Sequence, residues 1–220
     1  MKACFHYDAV GDVAMRLDGR AAVVTGGSQG LGLAVAGAFV AEGADVLICG
    51  RGQEALDEAS ACLSARTRPG RRVLSAAADV SRPDDSERLV STALHAFGRL
   101  DVLVNNAGCV RAETSAQGRG LGRLGPGDRD QPAGHCAALP GRAAAHEEAR
   151  TGEVNLSGGG ATAPMPRMSA YAASKAAVVR FTETLAEEVR EDGIGVNAVA
   201  PGALNTGLLE QAACGDWTTP

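Results

Sequence analysis

The chain has 220 residues, 45% of them hydrophobic, with 21 basic against 26 acidic side chains and a formal net charge of −5; this excludes a disordered polymer and fits a single collapsed domain. Only 3% of residues are aromatic and 42 are alanine, so the bulky apolar side chains must be concentrated in a few segments. No basic run is present, which argues against a nucleic-acid or anionic-membrane surface, since either needs clustered Lys and Arg to displace counterions.

Cys4, Cys49, Cys62, Cys109, Cys136 and Cys214 contain no Cys-x-x-Cys pair. No signal-peptide apolar region precedes them, and no apolar run approaches the ~18 residues of a membrane span. The reading is a cytoplasmic chain without a metal site, its cysteines small core or surface residues rather than disulfides. Residues 1 to 14 read as a disordered leader, and residues 15 to 220 as one domain.

In chain order, Ala21 to Thr25 predicts a buried strand, followed by a glycine-rich turn and a helix from Gly30 to Glu42 with Leu31, Val35 and Phe39 on one face. Asp45 to Cys49 predicts a second strand and Gln53 to Ala65 a second helix. Val73 to Ala77 is a weak third strand, because alanine has poor strand propensity. Pro83 to Phe97 opens with proline and acids and carries Leu89, Val90, Ala93, Leu94 and Phe97 at helical spacing. Strands at Val102 to Val104 and Val154 to Leu156, a helix from Ala170 to Glu191 and a strand from Gly195 to Ala200 complete the pattern. Alternation of this kind implies right-handed crossovers and a parallel sheet covered on both faces, a Rossmann-type doubly wound α/β fold.

Thr25-Gly26-Gly27-Ser28-Gln29-Gly30-Leu31-Gly32 joins the first strand to the first helix. Glycines are needed where backbone turns tightly and approaches a pyrophosphate resting on a helix N-terminus. The spacing T-G-x-x-x-G-x-G resembles the nucleotide loop of the short-chain dehydrogenase/reductase family. Further motifs follow in the family's order: Asp79-Val80, Asn105-Asn106-Ala107-Gly108, Tyr171-x-x-x-Lys175, and Pro201-Gly202 with Thr206. The resemblance covers about residues 16 to 110 and 154 to 208 and implies a nicotinamide cofactor. In it Asp79 and Val80 would cap the adenine pocket, Asn106, Ala107 and Gly108 line the cofactor cleft, and Thr206 contact the carboxamide.

Tyr171 and Lys175 stand one turn apart on one helix face in a chain with two tyrosines and two lysines, which makes coincidence a poor explanation. An ammonium beside a phenol favours the phenolate and lowers the tyrosine pKa, as a general acid/base requires. The resemblance implies that Tyr171 exchanges the substrate proton and that Lys175 holds the nicotinamide ribose. It also implies a serine that orients the substrate oxygen. Ungapped spacing puts Gly158 at that serine's usual position, whereas a one-residue loop difference within Gly158-Gly159-Gly160 would restore Ser157, the favoured candidate; Thr162 and Ser169 are the nearest other hydroxyls. After the second strand the chain reads Cys49-Gly50-Arg51, with no carboxylate for a ribose 2′-hydroxyl and an arginine able to pair with a 2′-phosphate. NADP(H) is therefore expected over NAD(H).

Residues 111 to 153 depart from the pattern. Leu121, Leu124 and Leu139 are their only bulky apolar side chains, and no asparagine occurs, although the family resemblance implies a long helix there bearing a catalytic asparagine. Family-like length with this composition suggests two compensating reading-frame slips, or else a disordered insertion. The chain also stops short of the family's last strand, a truncated C-terminus that puts the family's homo-oligomer in question. The resemblance is nearest to 3-ketoacyl carrier-protein reductase-like members. It implies hydride transfer between NADP(H) and a small-molecule ketone or alcohol; the alternative is a catalytically impaired nucleotide-binding protein lacking the asparagine.

Overall fold

The structure is a computed structural model that describes residues 16–108, 152–165 and 168–202. Along the described chain run β1 (Ala21–Thr25), α1 (Gly30–Ala41), β2 (Asp45–Gly50), α2 (Gln53–Ser64), β3 (Val73–Ala77), α3 (Pro83–Phe97) and β4 (Val102–Asn105). After the undescribed interval come β5 (Gly152–Leu156), a short 3-10 turn (Gly159–Ala161), α4 (Ser169–Glu188) and β6 (Gly195–Val199). The strands form one parallel sheet in the order β3-β2-β1-β4-β5-β6. This is the Rossmann-type α/β arrangement that the alternation of strands and helices implies. Its order reverses between β1 and β4, where such sheets open a crevice at their carboxyl ends.

Successive strand residues face opposite sides of the sheet, so the apolar runs supply two cores. Val23, Leu47, Cys49 and Leu103 pack with Leu89, Val90 and Ala93 of α3. Val24, Val46, Ile48 and Val104 pack with Ala36 and Val40 of α1 and Leu56, Ala59 and Leu63 of α2. Leu47, Ile48 and Leu56 are fully buried, and each such side chain contributes about 1.5–3 kcal/mol. In α1 the most buried line is Gly32, Ala36 and Val40, not Leu31, Val35 and Phe39, which pack partly buried at its flanks. The helix is apolar on nearly every face, so periodicity alone does not distinguish them, and the smallest residues take the closest approach to the sheet.

β5 begins at Gly152, two residues before the expected Val154. The Gly152 N–H donates to the Asp101 carbonyl at 2.7 Å, and Glu153 is buried with its carboxylate accepting from the Asn105 amide at 3.2 Å. These two residues, grouped by composition with the poorly packed segment, belong to the sheet. At this same amino end of the strands lies a charged clip. The buried Asp101 carboxylate accepts from Arg20 Nη1 at 2.7 Å, the Ala21 N–H at 2.9 Å and Arg99 Nε at 2.6 Å. It ties the start of β1 to the start of β4.

Cys49 is a free buried thiol, as expected of a core cysteine, but Cys62 is disulfide-bonded, against the reading of small unpaired residues. Among the described residues no helix is long and apolar enough to cross a membrane, and no cluster of three metal-ligating side chains occurs. The leader, the asparagine-free stretch up to residue 151 and the chain beyond Gly202, Thr206 included, lie outside the described residues.

Candidate active site

The glycine-rich loop leaves β1 at Thr25. Gly26 holds φ at +64°, a left-handed conformation that side chains disfavour, and a Cβ on Gly32 would stand 2.3 Å from the Gly26 carbonyl oxygen. Both positions therefore require glycine. A latch from the β4 side fixes the loop. The Asn106 amide donates to the carbonyls of Thr25 at 2.9 Å and Gly26 at 3.3 Å, and the Thr25 hydroxyl accepts the N–H groups of Asn106 and Ala107, each at 3.0 Å. Asn106 and Ala107, expected to line the cleft, thus also shape the loop.

The loop ends in the N-terminus of α1. Its first turn has no acid and its N-cap residue, Gln29, makes no side-chain capping bond. The leading N–H groups of a helix without such a cap are free to take an anionic ligand, and their dipole favours one. Ser28 is half-buried, Gln29 exposed and Leu31 half-buried around this end. A dinucleotide's diphosphate fits this donor set: close-packed glycine backbone, a helix start and no competing carboxylate.

Arg51 is exposed just past the end of β2. Hydrogen bonds from the Ser81 hydroxyl at 2.7 Å and its N–H at 3.0 Å lower the Asp79 pKa, partly opposed by burial and assisted by the nearby Arg51 charge. The Asp79 side chain is thus engaged in its own turn. Val80 packs against the core on the α3 side, and Gly108 is exposed at the end of the described β4 turn. Pro201 and Gly202 follow β6, half-buried and exposed respectively.

The second group of residues gathers where β5 meets α4. Lys175 is buried and its ammonium donates to the Leu156 carbonyl at 2.9 Å, with Nζ 5.7 Å from the centre of the Tyr171 ring. Tyr171 is half-buried, and desolvation raises the phenol's pKa above its ordinary value. This reverses the lowering expected from the neighbouring ammonium, because Lys175 is directed at a backbone carbonyl and burial of the phenol outweighs its charge. A phenol held protonated in this way is in the form that donates.

Ser157, the candidate to orient the substrate oxygen, is bonded to α4. Its hydroxyl donates to the Lys175 carbonyl at 2.9 Å and is buried, while its N–H binds Val199 in β6 at 2.8 Å. The residue beside the phenol is Gly158, whose hypothetical Cβ would lie 2.3 Å from Tyr171 Oη. The ungapped spacing, which put Gly158 at the serine position, describes this geometry better than the shifted one. Sequence reasoning also missed the buried polar chain beneath the site. The Asn105 amide donates to Asn155 Oδ1 at 2.8 Å, the Asn155 amide to Thr182 at 3.0 Å, and the Thr182 hydroxyl to the Val178 carbonyl at 2.7 Å. Thr182 lies seven residues after Lys175, two turns along the helix, a spacing that could have revealed it.

Comparison with known proteins is decisive on family. The sequence model for short chain dehydrogenase matches residues 20–119 and 142–215. The chain belongs to the short-chain dehydrogenase/reductase family. It is thus an NAD(P)-dependent oxidoreductase by family, and the unmatched interval falls inside the segment of atypical composition. A short-chain type dehydrogenase/reductase of Picea abies is 37% identical over 203 residues, covering 88% of this chain and 73% of the relative. Among solved structures, levodione reductase superposes with a TM-score of 0.82 at 31% identity, covering 90% of this chain and 76% of that one. A short chain dehydrogenase from Burkholderia cenocepacia in complex with NADP gives 0.77 at 35% identity, covering 88% and 78%. One from Mycobacterium paratuberculosis bound to NAD gives 0.76 at 27%, covering 88% and 75%.

Proposed function

We propose that this short-chain dehydrogenase/reductase transfers a hydride between NADP(H) and a ketone/secondary-alcohol pair, with a 3-ketoacyl, polyketide or comparable ketone as substrate. The observation that carries the reading is the half-buried phenol of Tyr171 beside the buried ammonium of Lys175 at the carboxyl end of the sheet. When bound, the nicotinamide supplies the hydride. Tyr171 donates its hydroxyl proton to the carbonyl oxygen as that oxygen gains charge. Lys175 contributes positive potential near the phenol and reaches the ribose, while Leu156 fixes its approach. Ser157 anchors the helical turn carrying Lys175 through its bond to that residue's carbonyl, in place of orienting the substrate oxygen.

Gly26, Ser28, Gln29, Gly30, Leu31 and Gly32 would hold the diphosphate, and Asn106 and Ala107 keep that loop in shape. Asp79, Val80, Gly108, Pro201, Gly202 and Thr206 border the remaining cofactor cleft in this reading. The preference for NADP(H) rests on Arg51 and on the absence of an acid at Cys49-Gly50-Arg51. Arg51→Ala is expected to weaken NADPH and leave NADH little changed. The absence of a side-chain hydroxyl at Gly158 favours a second reading, a protein that binds the nucleotide without turning over.

A single series separates the two. The purified chain is melted with and without NADPH, and NADPH oxidation is followed with a panel of ketones, beside Tyr171→Phe. Bound NADPH at about 100 times its dissociation constant raises stability by about 2.7 kcal/mol. Reductase function predicts turnover that falls by about 100-fold or more in the Phe variant. A rise in melting temperature without turnover supports binding alone, and turnover unchanged in Tyr171→Phe overturns the assignment of the acid.

A further inference from the structure

We propose that Thr182 is a positioning residue of the site: through Asn155 and Asn105 it holds α4, and with it Tyr171 and Lys175, in register with the β4 turn that latches the nucleotide loop. Apolar contact alone sets that register loosely, because it is not directional. The cluster of Leu185, Ile194 and Val196, with Phe181, Ala186 and Val189 against it, also lies toward the far end of the helix. Hydrogen bonds are directional, and β5 provides three in succession. The Asn155 amide donates to Thr182 Oγ1 at 3.0 Å, the Leu156 carbonyl accepts from Lys175 Nζ at 2.9 Å, and the Ser157 hydroxyl donates to the Lys175 carbonyl at 2.9 Å. Two of these ties meet α4 at Lys175. The third meets it two turns on, about 10 Å along the axis. A rod held at one level can pivot, and a second level at that distance fixes its tilt and its rotation.

The chain also has a fixed direction. Asn105, Glu153, Asn155 and Thr182 are each no more than 3% exposed, so their polar groups depend on one another rather than on solvent. The Asn105 amide directs its two N–H groups at Glu153 Oε1, at 3.2 Å, and at Asn155 Oδ1, at 2.8 Å. Asn155 therefore turns its oxygen to β4 and its amide to α4, where Thr182 Oγ1 accepts and donates in turn to the Val178 carbonyl at 2.7 Å. Reversing the Asn155 amide would set buried donor against donor at Asn105. Asn105 is followed directly by Asn106, whose amide donates to the Thr25 and Gly26 carbonyls. The path thus runs from the nucleotide loop to the helix that carries the phenol.

The effect of Thr182 on the reaction passes through α4 and rests on Tyr171 being the proton donor. Thr182→Val removes the hydroxyl at nearly constant volume, and Thr182→Ser keeps it. Thr184→Val is the control: Thr184 is exposed on the same helix and its hydroxyl donates to the Arg180 carbonyl at 2.9 Å, a bond within the helix. Each is made in the full chain with Tyr7→Phe, which leaves Tyr171 the sole tyrosine, so the ultraviolet absorbance of the phenolate reports its ionisation alone. Lys175, whose Nζ stands 5.7 Å from the ring centre, is retained in every variant.

Thr182→Val is expected to move the Tyr171 titration midpoint downward, because a loosened α4 relieves the burial that holds the proton. It is also expected to lower the turnover number for ketone reduction about 10-fold or more, with the NADPH dissociation constant little changed. Thr182→Ser is expected to restore both, and Thr184→Val to move neither. A purely structural role would lower the melting temperature of Thr182→Val and leave midpoint and turnover number in place, and that result overturns the proposal. If Thr182→Val does not fold, Thr182→Ala is read by the same two outcomes. Failure of the proposed reaction shows differently, as turnover that is absent or insensitive to Tyr171→Phe, and the titration then decides the role of Thr182 by itself.

Discussion

A methyl group at position 32 would stand 2.3 Å from the Gly26 carbonyl oxygen and 2.5 Å from Asn106 Nδ2. The first is backbone, held in a left-handed turn, and the second is already bonded to two carbonyls, so neither can yield cheaply. Gly32→Ala is expected to cost about 1–3 kcal/mol of stability by overpacking and to abolish the rise in melting temperature produced by NADPH, measured by thermal denaturation at saturating cofactor. The glycines of this loop were legible because their spacing follows a strand and opens a helix. Gly158 was legible as the ungapped counterpart of the family's serine, but its closeness to the Tyr171 hydroxyl was not, since that depends on how the ring is placed. The bond from the Ser157 hydroxyl to the Lys175 carbonyl was likewise not legible, since a hydroxyl at the end of a strand looks equally fit to face a substrate or a helix carbonyl.

Between elements, the informative tie is the clip at Asp101. Burial pushes its pKa up, but the hydrogen bonds from Arg99, the Ala21 N–H and Arg20 outweigh that effect and leave it lowered. A carboxyl whose folded pKa is depressed stabilises the fold above its unfolded value, about 3.9, and loses that contribution as pH falls through the folded value. Asp101→Asn is expected to lower stability by about 2 kcal/mol at neutral pH, read from urea unfolding, and to flatten the acid limb of the stability profile below about pH 4. Element by element, α3 was legible from its opening proline and acids and its apolar spacing, and β1 and β2 from continuous β-branched runs. The start of β5 was not, because Gly152 and Glu153 look like loop. Glu153 enters the sheet between Leu103 of β4 and Val196 of β6, and its carboxylate accepts from the Asn105 amide, which lies 48 residues earlier.

At the scale of the whole molecule, the alkaline limb of stability has its own source. Burial pushes the Cys49 thiol from 9.0 up to about 12, with a backbone hydrogen bond from Gly26 opposing the shift. A group whose folded pKa is raised keeps its full contribution below the unfolded value and loses it as pH rises through the folded one. Stability is therefore expected to decline from about pH 9 toward pH 12, and Tyr171 adds to the decline in the same direction. Cys49→Ala is expected to lower stability at neutral pH by leaving a small cavity, yet to make the profile less steep across that alkaline window, as followed by melting temperature against pH. The parallel, doubly wound sheet was legible from the alternation of strands and helices, whereas its strand order, β3-β2-β1-β4-β5-β6, is set by pairings between strands far apart in the chain.

The charged clip and the nucleotide loop occupy opposite rims of the same strands: Asp101 reaches the first residue of β1, and Thr25, the last residue of that strand, begins the loop. Five residues of rigid strand insulate one from the other. Durability and ligand grip are therefore adjusted from different edges, and breeding this protein for heat tolerance has a natural place to begin, at Arg20, Arg99 and Asp101, far from the chemistry.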